Sequence, residues 1–571
     1  MRLVQSILAV AALACLGAAK PAPAPLAYTV SPEIRDGALV ALDVSLALHA
    51  GPDGRVQLEL PDASAGVTEL WRNIKDLKVE GASGVATPSP AERLIQAAPG
   101  APLTVRYRVV SAFDHDPSVS ELETYQPLIR PTRFWVYGEA LFALPKDSKG
   151  PASFRWVGAP AGFGFASDLE HAGGKPMAIA DLQESVLVGG PDLTVVERRL
   201  DGAPLRVAAL GRFGFTTAAF VDLAAKTIAG ERAFWGGKEG PFLVALTPLG
   251  PVSGSISVRG EGRGDAFAIQ GGADTPLDFI KGLLAHEYFH TWNPRRLGGM
   301  HDGDVAERAD YWFSEGFTDF YARRLALRSE TFSLQAFVEA WNQVLKEYAA
   351  SPNRTAPNAK VVADFWKDSD VQKLPYRRGA ILAATWDREL RARSGGRVGL
   401  DDVMRAMRDR AAKLGAKSPK APQLFEETAR DFGLEVGPDV ERIVETGAAI
   451  ALPQDAFGGC ITVATRPAPV FERGYEIKTR ADGSHALTKV APDGPAYAAG
   501  LRDGMTVRRI SGWTGNVEKP WEVWVLDETV ERRVSYLPIG KGTMTQQQLE
   551  LPKELTPTAY DACARAVAAA R

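Results

Sequence analysis

The hydrophobic rhythm of the chain changes along its length, and each change marks a different kind of structure. From 26 to 180, short runs alternate apolar with polar residues, as in Leu39-Val40-Ala41-Leu42-Asp43-Val44-Ser45-Leu46 and Leu103-Thr104-Val105-Arg106-Tyr107-Arg108-Val109-Val110. A period of two sends alternate side chains to opposite faces of a strand. With Gly, Pro and Asp between the runs, this stretch predicts antiparallel strands in a β-sandwich-like domain. Residues 181–452 open with strands, including Pro241-Phe242-Leu243-Val244-Ala245-Leu246 and Gly254-Ser255-Ile256-Ser257-Val258, and then take up helical periodicity. Strand patterning returns over 458–551, and 552–571 reads as a tail. The fold class is multidomain α+β, with a helical second half to the central domain.

Several helices have readable ends. Thr275-Pro276-Leu277-Asp278 supplies an N-cap, a Pro in the first helical position and an acid in the first turn. That helix is expected to reach about 293, where Pro294 ends it. Others are expected near 310–328, 333–348, 376–393, 400–414 and 423–432.

At 571 residues the chain is too long for one core. Its formal charge of −3 gives no sign of nucleic acid or an anionic membrane as partner. Met1-Arg2, the apolar run from Leu3 to Leu16 and Gly17-Ala18-Ala19 have the layout of a secretory signal peptide over 1–19, followed by a Pro/Ala spacer over 20–25. The apolar run is too short for a membrane span, so no transmembrane anchor is expected. Cys15 follows Ala12-Leu13-Ala14, a poor match to a lipid-attachment site. The expected location is therefore periplasmic or secreted. Cys460 and Cys563 are then the cysteines left, and an oxidising compartment favours their pairing.

The chemistry concentrates in His286-Glu287-Tyr288-Phe289-His290. Imidazoles at i and i+4 project from one helical face and can grip a single metal ion, with the intervening Glu beside it as general base. A catalytic zinc takes a third protein ligand and keeps a position for water. Glu315, in Trp312-Phe313-Ser314-Glu315-Gly316-Phe317-Thr318-Asp319, is the candidate, because an unliganded carboxylate among those aromatics would bear a desolvation cost. Asp319, one turn later, is placed to accept a hydrogen bond from a liganding imidazole. Another acid, or His301, is the alternative third ligand. His49, His115 and His171 are scattered, with no constellation around them.

These motifs, with Thr291-Trp292-Asn293 after the second His, resemble the glycyl aminopeptidase family of zinc metallopeptidases, within the thermolysin-like gluzincin group. The resemblance implies a thermolysin-like catalytic domain over 181–452, zinc as cofactor, a peptide or protein substrate, and a preference for small N-terminal residues. It also implies that Tyr376, in Leu374-Pro375-Tyr376-Arg377-Arg378-Gly379, begins a helix and donates a hydrogen bond to the oxyanion. The sequence departs from the family where a Gly-rich edge strand carries a Glu-His pair. The corresponding stretch, Val252-Ser253-Gly254-Ser255-Ile256-Ser257-Val258-Arg259-Gly260-Glu261-Gly262-Arg263-Gly264-Asp265, lacks the pair and offers Glu261 or Asp265 for the substrate's amine, which leaves endopeptidase action open. Asn293, Arg295 and Arg296 are further candidates to shape the substrate cleft.

Gly494-Pro495-Ala496-Tyr497-Ala498-Ala499-Gly500-Leu501-Arg502-Asp503-Gly504-Met505, followed by Val507-Arg508-Arg509-Ile510-Ser511-Gly512, resembles the core signature of a PDZ domain. That likeness implies a groove that takes a peptide as an added strand. A peptide-binding protein without turnover is thus the reading from a different class.

Overall fold

The computed structural model describes residues 26–568 apart from 65–66, 119–124, 159, 238, 251–257, 482–483 and 528–529. The leader, the spacer and Cys15 lie outside the described residues, as does the strand expected at Gly254-Ser255-Ile256-Ser257, except that Val258 opens a strand of its own.

Alternation in the first domain becomes pleat. In Leu26–Arg35 the side chains of Leu26, Tyr28 and Val30 turn inward, and in Ala38–His49 those of Leu42, Val44, Leu46 and Leu48 do. These two strands pair antiparallel within a five-stranded sheet, and two four-stranded sheets complete the domain. The boundary lies later than the expected 180. Val186–Gly190 pairs with both Gly164–Ser167 and Arg133–Tyr137, so the first domain runs on to Gly190. Val186-Leu187-Val188 is buried throughout, an apolar run without alternation that gives no period to read.

The second domain is built on a five-stranded sheet ordered Thr194–Leu200, Ala203–Ala209, Phe242–Leu249, Ala266–Gly272, Val258–Gly262. Its inner pairs are parallel and both edges antiparallel. Phe242–Leu249 is apolar almost throughout because both of its faces are covered. Val244 and Leu246 face the helical core, whereas Leu243 and Ala245 face the first domain. Val258–Gly262 is an edge strand, and it runs against the helix that carries the two histidines.

That motif helix is Leu277–Phe289, with Pro276 rather than Thr275 in the cap position. Next come Tyr311–Arg328, Leu334–Ala350, Ser369–Ser394, Leu400–Leu414 and Ala421–Asp431. The helix expected to start at Tyr376 starts earlier. Asp368 caps it by accepting from the Asp370 and Val371 N–H groups, and Pro375 sits in its interior. Tyr311–Arg328 and Ser369–Ser394 cross with backbones in contact. A Cβ on Gly316 would collide with the Gly379 backbone, and one on Gly379 with the Trp312 carbonyl. Buried charges lock the same crossing: Arg324 pairs with Asp387 and with Asp401 at 3.1 Å, and Asp387 also accepts from the Leu400 N–H at 2.8 Å. Removing one partner would strand the other in a low-dielectric interior.

The last region is a five-stranded antiparallel sheet, Glu476–Thr479 through Val530–Tyr536, joined to the helical core by the paired strands Thr462–Phe471 and Ile539–Glu550. Gly494 to Met505 folds as a one-turn helix, Pro495–Ala498, and a turn into Thr506–Ser511. Among the described residues, the chain continues from there as strands, without a second helix in this sheet region. The expected tail contains the helix Pro557–Val567, packed on the core through Cys563 and Val567. Cys460 and Cys563 form a disulfide, Cα to Cα 5.7 Å, that fastens this helix across a separation of 103 residues. No described helix is long and apolar enough to cross a membrane.

Alkylation of the folded protein without reductant should therefore add no mass, whereas reduction should expose two thiols and cost about 4–5 kcal/mol of stability, read from denaturant midpoints. Two alkyl groups added without reductant would contradict the bridge.

Candidate metal centre

His286 stands in the last turn of the motif helix and His290 caps its C-terminus, and Glu315 faces them from Tyr311–Arg328. The Nε2 atoms of the histidines are 3.1 Å apart, and Glu315 Oε2 lies 3.2 Å from His286 and 3.5 Å from His290. Ligand atoms about 2.0–2.1 Å from a tetrahedral ion are roughly 3.3 Å from each other, so the triangle fits zinc. His290 Nδ1 donates to the Asn293 carbonyl at 2.8 Å, and His286 Nδ1 donates to Asp319 at 3.0 Å. With the outer nitrogens as donors, each ring in its neutral form turns a bare Nε2 lone pair toward one point beside a carboxylate. Such a point calls for a cation.

Until a cation arrives, the same carboxylates favour protons on the rings. Burial alone would lower both imidazole pKa values, yet Asp319 and Glu315 hold His286 well above its ordinary range, and Glu315 raises His290. Burial would likewise raise Glu315, but the two histidines hold it well below the usual carboxylate range. Asp319 is also kept low against burial, by Arg323 at 3.0 Å and by His286.

Glu287 Oε2 accepts the Gly262 N–H at 3.0 Å, which ties the motif helix to the edge strand. Tyr376 stacks on His286 with ring centroids 5.9 Å apart. Burial, with the charges of Glu315, Glu287 and Asp319, pushes its phenol far above the ordinary value, so it stands as an O–H donor. His286, Glu287 and Tyr376 line a cavity of about 390 Å³ whose further wall includes Gly282, Leu283, Phe332 and Ala340.

Glu261 lies on the edge strand next to Gly262. Tyr125 donates to it at 2.6 Å, and Arg263 is 4.0 Å away. Burial, then the Glu287 charge, pushes its carboxyl up to about 7 against the pull of Tyr125 and Arg263. A carboxyl in that condition gains from an incoming cation. Tyr125 and Arg263 carry no signal in the sequence that marks them for the site. Tyr125 comes from the first domain, 136 residues before Glu261, and no local pattern links the two.

Other candidates stand elsewhere. Asn293 is fully buried behind the site, where its Nδ2 donates to the Ser314 carbonyl at 3.0 Å and Thr318 Oγ1 at 3.1 Å. It braces the two ligand-bearing helices and does not face the cleft. Arg295 bridges the Gly264 carbonyl and Glu184, and Arg296 pairs with Glu239; both line a separate cavity of about 750 Å³. The chain turns after His290, which carries these arginines away from the cleft. Asp265 closes the hairpin after the edge strand, its carbonyl accepting the Leu243 N–H at 2.9 Å. His301 pairs with Asp310 at 2.8 Å and is outside the ligand cluster.

Two histidines and a glutamate around one point beside a helix-borne glutamate define a metal-dependent hydrolase centre. Residues 280–375 match a family described as M61 glycyl aminopeptidase, a segment holding His286, Glu287, His290 and Glu315 and ending one residue before Tyr376. The chain is a zinc metallopeptidase, a hydrolase. An aminopeptidase N family protein from Idiomarina loihiensis has a similar fold, with a TM-score of 0.68 and 16% identity over 94% of this chain and 100% of that one. An M1 zinc metallopeptidase from Deinococcus radiodurans is a looser match, with a TM-score of 0.44 and 16% identity over 75% of this chain and 94% of that one. No curated protein is matched at the sequence level.

Glu315→Ala should strip zinc from the purified protein, as metal analysis would show. Asp319→Ala should weaken zinc binding about 10–100-fold through the loosened His286 ring, and His301→Ala should leave it unchanged. Full zinc content in Glu315→Ala would remove Glu315 from the ligand set.

Proposed function

We propose that the protein is an exported zinc aminopeptidase that removes small N-terminal residues from peptides. The observation that carries this reading is Glu261, a carboxyl on the edge strand next to Gly262, whose N–H holds Glu287, and close enough to feel the Glu287 charge. The description of the matched family as glycyl aminopeptidase supports the preference for a small first residue. Export is supported by the leader pattern and by the Cys460–Cys563 bridge.

His286, His290 and Glu315 would hold the zinc, which when bound supplies a Lewis acid and acidifies water toward neutral pH. Glu287, held at Oε2 by the Gly262 N–H, has Oε1 for the reacting water; it takes the water's proton and later delivers it to the leaving amine. Tyr376 donates to the oxygen on which negative charge develops. Asp319 keeps His286 in the tautomer that presents Nε2. Glu261 pairs with the substrate ammonium and so sets the scissile bond one residue in.

Endopeptidase action is the rival reading, favoured by the lack of a Glu-His pair at the edge strand. The C-terminal sheet as a PDZ-like peptide module is a second proposal, supported by the helix, turn and strand formed by Gly494 to Ser511.

Glu287→Gln should keep zinc and lose at least ~10²-fold in kcat; near-normal turnover would remove Glu287 from the mechanism. A Gly-Ala-leading peptide and its N-acetylated form separate the two peptidase readings. Loss of the first residue from the free peptide alone, abolished by chelator and raised in KM by Glu261→Gln, is expected. Internal cleavage of both forms would make the enzyme an endopeptidase.

A further inference from the structure

The C-terminal sheet reaches the catalytic domain through the loop after Thr506–Ser511. Gln343 Nε2 donates to the Thr514 carbonyl at 3.0 Å, and Lys346 pairs with Glu518 at 2.7 Å. Gly515, at φ +77°, lies so close to the Lys346 carbonyl that no side chain would fit there. The loop thus holds Trp513 in place, its ring 5.6 Å from Phe279 in the first turn of the motif helix and its surface 38% exposed. Lys519 lies over it at 4.9 Å.

This position is one turn beyond the cleft on two helices at once. Gly282 and Leu283 line the cleft, and Phe279 precedes them by three and four residues; Ala340 lines it, and Gln343 comes three residues later. A peptide with its amine at Glu261 that adds antiparallel to the edge strand runs back past Gly260 and Arg259 toward Val258. At Gly260 the strand lies directly over Leu283, where an added Cβ would be 3.0 Å from Cδ1. The leaving part of the substrate is therefore directed at Phe279 and Trp513. Phe279 is seven residues before His286, about 10 Å along a helix, which an extended chain crosses in roughly three residues.

We propose that Trp513 is a specificity-determining contact, an aromatic shelf that takes an apolar side chain two or three residues beyond the scissile bond. The inference rests on the aminopeptidase reading above. It makes the C-terminal sheet part of the substrate site.

The test compares alanine release from Ala-Gly-Gly-Gly, Ala-Gly-Phe-Gly and Ala-Gly-Gly-Phe with hydrolysis of alanine p-nitroanilide, which is too short to reach the shelf. The wild type should favour one of the Phe peptides about tenfold in kcat/KM. Trp513→Ala should abolish that preference through KM with kcat held, Trp513→Phe should keep most of it, and neither should change the anilide rate. Preference retained in Trp513→Ala, or an equal loss on anilide and peptides, would overturn the inference while leaving the aminopeptidase reading in place. A wild type that releases alanine from neither anilide nor peptides would overturn that reading and this inference together.

Discussion

The site depends on two helices crossing with their backbones in contact at Gly316 and Gly379. Any side chain at either position would force the helices apart, and with them Glu315 and Tyr376, which flank the crossing. Glu315 would have to come within about 2 Å of an ion held by the two histidines of a third helix. The Arg324, Asp387 and Asp401 cluster locks the same helix pair two turns farther on. A close approach and a buried charge cluster together hold these parts of the site at fixed spacing.

A second layer of bonds sets the chemistry of the ligands. Asp319 and the Asn293 carbonyl determine which nitrogen of each ring carries the proton, and Asn293 spans from the motif helix to Ser314 and Thr318 on the next. The ligand geometry is therefore built before metal arrives, and binding need not order the side chains. Glu287 is fixed by a backbone N–H of the edge strand, so the strand that would bind substrate also positions the base. The first domain enters through Tyr125, which bonds Glu261. The first domain thus reaches the strand that holds Glu287.

Whatever is local in the site is legible in the sequence. An i, i+4 histidine pair with its glutamate is a property of one helix, and Glu315 and Asp319 are one turn apart on the next, so all five can be read directly. Tyr376 is reached through family resemblance, but the expected start of its helix is misplaced, because Pro375 reads as a beginning and here lies in the interior. Asn293, Arg295 and Arg296 come soon after the motif in sequence, yet the chain turns after His290 and takes their side chains elsewhere. The pairing of Tyr125 and Arg263 with Glu261 arises from tertiary packing that no periodicity encodes. The first domain's last strand escapes a reading by alternation because a fully buried strand does not alternate. The C-terminal helix escapes it because a short amphipathic segment at a chain end resembles a tail.

X-ray absorption at the zinc edge of the purified protein tests the central claim most directly. One zinc per chain is expected, with two imidazole nitrogens and otherwise oxygen donors only, one of them exchangeable with solvent, and no sulfur. A site closed by four protein ligands, or a protein that folds and hydrolyses peptides with no zinc bound, would contradict it.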